Sequence, residues 1–440
     1  MHIITRCEEM KIWSLRKNKT PMLHYFLFAY WFILLVWQNL GAGGSANRGG
    51  MDVVIKCGLL VMLMIYYFMH ATGIRRDILL MCMLLVGVYA IVKIEGGLDL
   101  SKILYYFFPF LFVLLIFGVG WKFELNKRQL VHLCNMLIVV VSYIAVYALI
   151  FCTDQFANAF SIDNAYGNEL KSFLMSSHEY GMYLVFGIMA IILCMEFDPE
   201  GTKNRRFWYF LALILFSVNL ILTFSRTSIL SLAVLLIFYV LIFAKKRLRN
   251  WFLILAGIAV LMVLVIPSLR NFFWEIVMKE NNDAGRDALI DFGMAFYRDG
   301  SVSQKLFGWD YAPIKAYLAS SRGLGSFHNA YVQQIVANGL LGVFIMIMYS
   351  VVTLYDIFRT IKTKKEGSHL SKFFISFAAS AVVFMTFNTA ALFASAIDSY
   401  FMTLFTVVVP KYVNQSIRAG TFDVPIKNRE TRPNVRRVYR

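Results

Sequence analysis

Arg226 is the only charged residue in a run of thirty-seven, from Phe207 to Phe243. A guanidinium at hydrocarbon depth costs about 2.5–3.5 kcal/mol on insertion scales, so the position calls for a compensating group. The group its planar fork fits best is a phosphate gripped by two parallel hydrogen bonds. Ser225 and Thr227 flank it, and each carries a hydroxyl able to cap a helix that starts there. His178 in "SSHEYGMYL" and His328 in "SFHNAYVQQIV" each open an apolar segment. A helix start offers free N–H groups and a partial positive charge. That disfavours imidazolium, leaves a neutral ring able to take a proton, and welcomes an anion. Taken singly, such a histidine is more often an interfacial cap, and such an arginine a snorkelling side chain. What shifts the balance is that these residues fall on one side of the membrane, together with Arg286, which alone reads as a solvated residue or a partner of Asp283.

The elements that must position them are membrane spans. The chain has 440 residues, 59% apolar and 16% charged, against roughly 25% charged in soluble domains. Apolar runs long enough to cross a bilayer recur throughout. They predict an all-α polytopic membrane protein with about twelve transmembrane helices, near 22–40, 51–69, 78–94, 103–121, 130–152, 179–196, 207–223, 227–243, 251–268, 329–355, 373–391 and 395–410. The run 207–243 is too long for one crossing and must turn near Arg226; 373–410 divides likewise near Asn388. The whole reads as one membrane domain: six spans over 22–196, a core over 207–355 that includes an outer loop at 269–328, two last spans over 373–410, and a basic tail at 411–440. The N-terminal stretch is too long for a signal-peptide core and is read as the first span.

Lysine and arginine set the orientation. With both termini cytoplasmic, 30 of the 43 basic residues fall in inside segments and 11 outside. The net charge of +17 is therefore a topology signal and not a nucleic-acid footprint, and the tail's "RRVYR" suits anionic lipid. No cysteine lies in the outer loop, which excludes a disulfide there. That loop is far longer than the others, and long loops without linker composition tend to be functional. Within it "NNDAGRDALIDFGMAFYRDG" predicts a short amphipathic helix with Leu289, Phe292, Gly293 and Phe296 on one face, suited to the membrane surface or to a lid over the bundle. Arg286 falls in its first turn. Trp309 and Tyr311 read as members of the interfacial aromatic belt, with sugar stacking the lesser alternative.

These stretches resemble the motifs of a known family. "LTFSRTSILSL" after an apolar span is similar to the Ser-Arg-Thr signature of the O-antigen ligase and polymerase superfamily. Gly285–Arg286 in "NDAGRDALI" resembles its loop arginine, and "KLFGWDY" its loop Phe-Gly stretch. "SFHNAYVQQIVANGLLGVF" resembles its most specific motif, and "SSHEYGMYL" a weaker one. The ordered set covers roughly 160–350. One departure is Asn338, where members often carry an acid before Gly-Leu-Leu-Gly; an amide has no proton to relay there.

The resemblance implies a membrane glycosyltransferase of the C class in the bacterial cytoplasmic membrane, facing outward. It needs no metal or other cofactor and acts on undecaprenyl-diphosphate-linked glycans as donor and acceptor, alongside a chain-length regulator and a flippase. His328, Arg226 and Arg286 are then the catalytic candidates. His178, Glu179, Asn329, Tyr331, Ser225 and Thr227 are candidates for substrate contact. A polymerase joining repeat units into O-antigen, capsule or exopolysaccharide is the leading expectation, and a ligase transferring the glycan to lipid A core the alternative. A flippase or transporter predicts related halves and a long inside linker; the sequence shows neither. A non-catalytic scaffold fits the outward Arg/His set less well.

Overall fold

The computed structural model describes residues 110–160, 169–174, 176–198, 201–242, 246–267, 283–309, 327–363, 368–388 and 402–423, most of 61–93, and a few isolated positions. Among the described residues the protein is helical, without a strand. The helices are α1 (Arg76–Lys93), α2 (Lys127–Phe151), α3 (Thr153–Phe160), α4 (Ser177–Phe197), α5 (Lys203–Leu222), α6 (Arg226–Ile242), α7 (Lys246–Val265), α8 (Asp283–Asp299), α9 (Val302–Phe307), α10 (Ala330–Thr363), α11 (Ser368–Phe387) and α12 (Val409–Ala419). Short π-helical stretches occupy Leu114–Val119 and Leu404–Val408.

Among the described residues five helices are long and apolar enough to cross a membrane: α2, α4, α5, α10 and α11. α6 and the stretch Phe110–Val119 are apolar but shorter. The expected break in the run 207–243 is present, α5 ending at Leu222 and α6 beginning at Arg226. α11 ends at Phe387, beside the expected division at Asn388. The spans expected at 22–40 and over most of 51–69 lie outside the described residues, as does Tyr311.

Sequence composition explains the packing. α4 is apolar all round and almost wholly buried, as the central helix of a bundle must be. α2, α5 and α10 bury one side and leave Val139, Phe210 or Phe344 exposed on the other, the pattern of helices that meet protein inside and lipid outside. α11 runs antiparallel to α6: Ser231 and Ser380 exchange hydroxyl bonds, with Oγ to Oγ at 2.7 Å, and the Tyr239 and Phe373 rings meet at 5.8 Å.

Two features depart from the sequence expectations. α10 is longer than the span expected at 329–355 and breaks at Gly339 (φ 66°, ψ −171°). Residues 411–423, the first part of the segment read as a basic tail, are folded against the bundle. Tyr412, Val413 and Ile417 are buried, the Leu125 amide donates to the Tyr412 carbonyl at 3.2 Å, and the Lys127 amide to the Phe422 carbonyl at 3.0 Å.

Candidate active site

The Arg226 turn is built almost wholly from hydroxyl groups. At the end of α5 the Thr223 hydroxyl donates to the Leu220 carbonyl at 2.7 Å and accepts from the Ser225 amide at 3.2 Å. Phe224 between them takes φ 47°, the left-handed conformation that reverses the chain in so few residues. Ser225 Oγ then accepts the Ser228 amide at 3.4 Å, the N-cap bond expected of it. Thr227 is buried in the first turn of α6 and is not the cap. Arg226 is half-buried, with Nη2 closed off from solvent.

The start of α4 is locked to this turn. Ser176 caps it, its hydroxyl accepting the Glu179 amide at 3.1 Å. His178 Nδ1 lies 2.9 Å from Ser225 Oγ. Tyr180 donates to Asn219 Oδ1 at 2.8 Å. Gly181 permits this closeness: a Cβ there would land on the Ser228 side chain. A third segment, 169–174, packs on the same turn. The Leu170 amide donates to the Leu222 carbonyl at 3.0 Å, and Glu169 accepts from the Ser177 hydroxyl at 2.8 Å. Glu179 is half-buried in the first turn of α4.

His328 enters through α11. Asn329 caps α10, its Oδ1 accepting the Tyr331 and Val332 amides at 3.0 Å each, and its Nδ2 donates to the Thr386 carbonyl at 3.0 Å. Residues 231 and 380 are level, so Arg226 and Thr386, five and six residues further toward the same end of the bundle on antiparallel helices, stand about 7.5 and 9 Å above them. The Asn329 link therefore sets His328 at the depth of Arg226. Tyr331 follows, half-buried in the first turn of α10. Among the described residues the three non-glycines with positive φ are Ser172, Phe224 and His328, at 58°, 47° and 50°. All three sit at this rim. Such backbone costs roughly 1–3 kcal/mol each and clusters at functional sites.

The amphipathic loop helix is α8. Leu289 and Gly293 face the first turns of α10, where a Cβ at 293 would strike Val332. α8 is thus packed on the start of α10. α8 carries Arg286 in its first turn, and that side chain lies outside the described residues. Trp309 is half-buried: its indole donates to the Phe296 carbonyl at 3.1 Å, and its amide to the Val336 carbonyl at 2.7 Å. Gly308 and Gly339, both at positive φ, meet backbone to backbone where α10 breaks.

Sequence reasoning missed Glu169, Gly181, Asn219 and Ser228. A glycine one turn into an apolar helix and a lone Asn late in a span were the available signals for two of them. The described residues contain no cluster of three or more metal-ligating side chains.

A search of curated proteins found no match. Residues 211–347 match the family model described as O-antigen ligase. The matched stretch contains the Arg226 turn, α8 and α9, the His328–Asn329 start and the Gly339 break, whereas segment 169–174, the start of α4 and Thr386 lie outside it. That match, over about a third of the chain, supports a likeness to the O-antigen ligase/polymerase superfamily.

Proposed function

We propose that this protein is a polymerase that joins undecaprenyl-diphosphate-linked oligosaccharide repeat units at the outer face of the bacterial cytoplasmic membrane. The bundle is read as twelve spans with both termini inside. The observation that carries the proposal is the Arg226 turn, fastened to the start of α4 and level with His328. Arg226 on this turn stands at headgroup depth, where a lipid's diphosphate resides.

The acceptor hydroxyl oxygen attacks the donor's anomeric carbon as the bond from that carbon to the diphosphate oxygen breaks. Arg226 and Arg286 bind the diphosphate as it gains charge; removing one such contact commonly costs roughly 10²–10³ in rate. His328 takes the proton from the acceptor hydroxyl, a typical 10²–10⁴-fold contribution. Direct displacement inverts the anomeric centre and leaves no covalent enzyme intermediate. Glu179, Tyr331, Ser225 and Thr227 lie close enough in sequence to these groups to shape the same pocket, and Asn329 acts by holding His328 in place.

A second reading, transfer of the finished glycan to lipid A core, is favoured by the description of the matching family. A deletion strain separates the two. Lipid A core bearing a single repeat supports the polymerase; bare core with long lipid-linked chains supports the ligase. Complementation with Arg226→Ala should give normal protein abundance and no long chains. Wild-type chain lengths from that variant would defeat both readings.

A further inference from the structure

The break in α10 falls between two hydrophobic cores. Before it, Val332, Val336 and Ala337 pack with Leu289 of α8 and with Phe327 in a small core of their own. Beyond it, Ile345, Met346 and Tyr349 belong to the main core of the bundle. The two cores meet through Ala330 and Phe307. At the break two carbonyls take donors from outside the helix. A straight helix would pair the Val336 carbonyl with the Leu340 amide and the Asn338 carbonyl with the Gly342 amide. Here the Val336 carbonyl accepts the Trp309 amide at 2.7 Å, and the Asn338 carbonyl accepts the Tyr89 hydroxyl. The Gly342 amide reaches the same Tyr89 oxygen. Tyr89, fully buried on α1, is therefore wedged into the ladder of α10, and an inserted side chain is a known cause of a kink. Its ring lies against those of Phe110 and Phe307, with centroids 5.0 and 5.6 Å away.

We propose that the arm Ala330–Asn338 turns as one unit with α8 and α9 about Gly339, and that Tyr89 is the positioning residue that latches this unit where His328 stands level with Arg226. The use of the motion rests on the reading of His328 as the base; the hinge itself does not. With Tyr89 withdrawn, the Asn338 carbonyl and the Gly342 amide can close the ordinary ladder bond, so neither backbone group is stranded. Glycine at 339 accepts either sign of φ. The latched position leaves one group unmet: Asn338 Oδ1 is buried with no hydrogen-bond partner, while Nδ2 donates to Gln334 at 2.6 Å. An unmet buried acceptor counts against the state that holds it. The far end of the arm has its own tie, the Asn329 bond to the Thr386 carbonyl, which a swing breaks and remakes. Leverage makes the latch matter. Asn329 stands ten residues from the break, so a swing of about 10° displaces it by about 2.6 Å. A general base acts only within about 2.6–3.2 Å of the atom whose proton it takes.

Tyr89→Phe removes the hydroxyl and keeps the ring between Phe110 and Phe307, so it tests the latch without opening a cavity. Two pairs of spin labels report the motion on purified full-length protein in lipid nanodiscs, with the native cysteines replaced. Lys171→Cys with Val302→Cys, both exposed, measures the unit against the segment packed on the Arg226 turn. Asp291→Cys with Val302→Cys, exposed on α8 and α9, measures within the unit. Distances are read by double electron–electron resonance. Adding Tyr89→Phe should shift or broaden the distribution between 171 and 302 and leave that between 291 and 302 unchanged. An unchanged distribution between 171 and 302 would overturn the hinge. A broadened one between 291 and 302 would reduce Tyr89 to a support for folding of the unit, and would overturn the proposal as well. Unlabelled Tyr89→Phe in a deletion strain should form several-fold less long polymer at normal abundance on immunoblots. Wild-type polymer from it would overturn the positioning role. Long chains from His328→Ala would instead overturn the reading of His328 as base, and the distances would still decide the hinge.

Discussion

At the scale of the residue, the cost of placing Arg226 within an apolar run is met by a turn whose every neighbour is fixed. Ser225, Thr223 and Ser228 are fully buried, and all three are hydrogen-bonded, so the guanidinium projects from a frame with little freedom of its own. Charge alone therefore should not suffice. Arg226→Lys keeps the charge and loses the fork, and is expected to lower the polymerisation rate by roughly 10² or more at unchanged abundance, measured as polymer formed per unit of immunoblotted protein. The arginine was legible in the sequence because a single charge in thirty-seven residues is conspicuous. The role of Asn329 was not: a residue beside a candidate histidine looks like a ligand contact, and only the Thr386 carbonyl shows that it joins two helices.

At the scale of the element, the helix ends at Leu222 and Phe197 were legible because charged and capping residues appear there, and the end at Phe387 because Asn388 interrupts an apolar run too long for one crossing. The break at Gly339 was not, because Asn-Gly interrupts neither apolarity nor charge. What defines it is Gly308, thirty-one residues earlier, whose backbone occupies the space a side chain at 339 would fill. This contact fastens the α8–α9 lid to α10. Gly308→Ala would place a methyl on the Ala337 carbonyl at a φ of 81°, strained on both counts. We expect the lid to detach while the spans persist. Protease added to the outer face of spheroplasts should cut the variant between 269 and 328 faster than wild type, and long chains should be lost. Unchanged cleavage would show that the lid is held elsewhere.

At the scale of the whole molecule, residues 409–423 fold against the end of α10 remote from Asn329. Arg418 pairs with Asp356 at 2.9 Å, and the Thr421 hydroxyl donates to Glu124 at 2.7 Å, so α12 joins α10 to the loop before α2. The sequence marked 411–440 only as a basic tail, because basic residues report the side of the membrane and say nothing of packing. Truncation after Asp423 should therefore leave abundance and chain length intact, whereas truncation before Val409 should lower abundance several-fold on immunoblots of the membrane fraction. The paired hydroxyls of Ser231 and Ser380 carry a wider implication. They act as a datum part-way down two counter-running rods, and from that mark the five residues up to Arg226 and the six up to Thr386 are a ruler. One alanine inserted between Ser228 and Ser231 would lift the guanidinium about 1.5 Å and swing it about 100° around the rod, with no functional side chain altered. Loss of polymer from that insertion, at normal abundance, would show that the length of this short interval is under as tight a constraint as the identity of the residues at its ends.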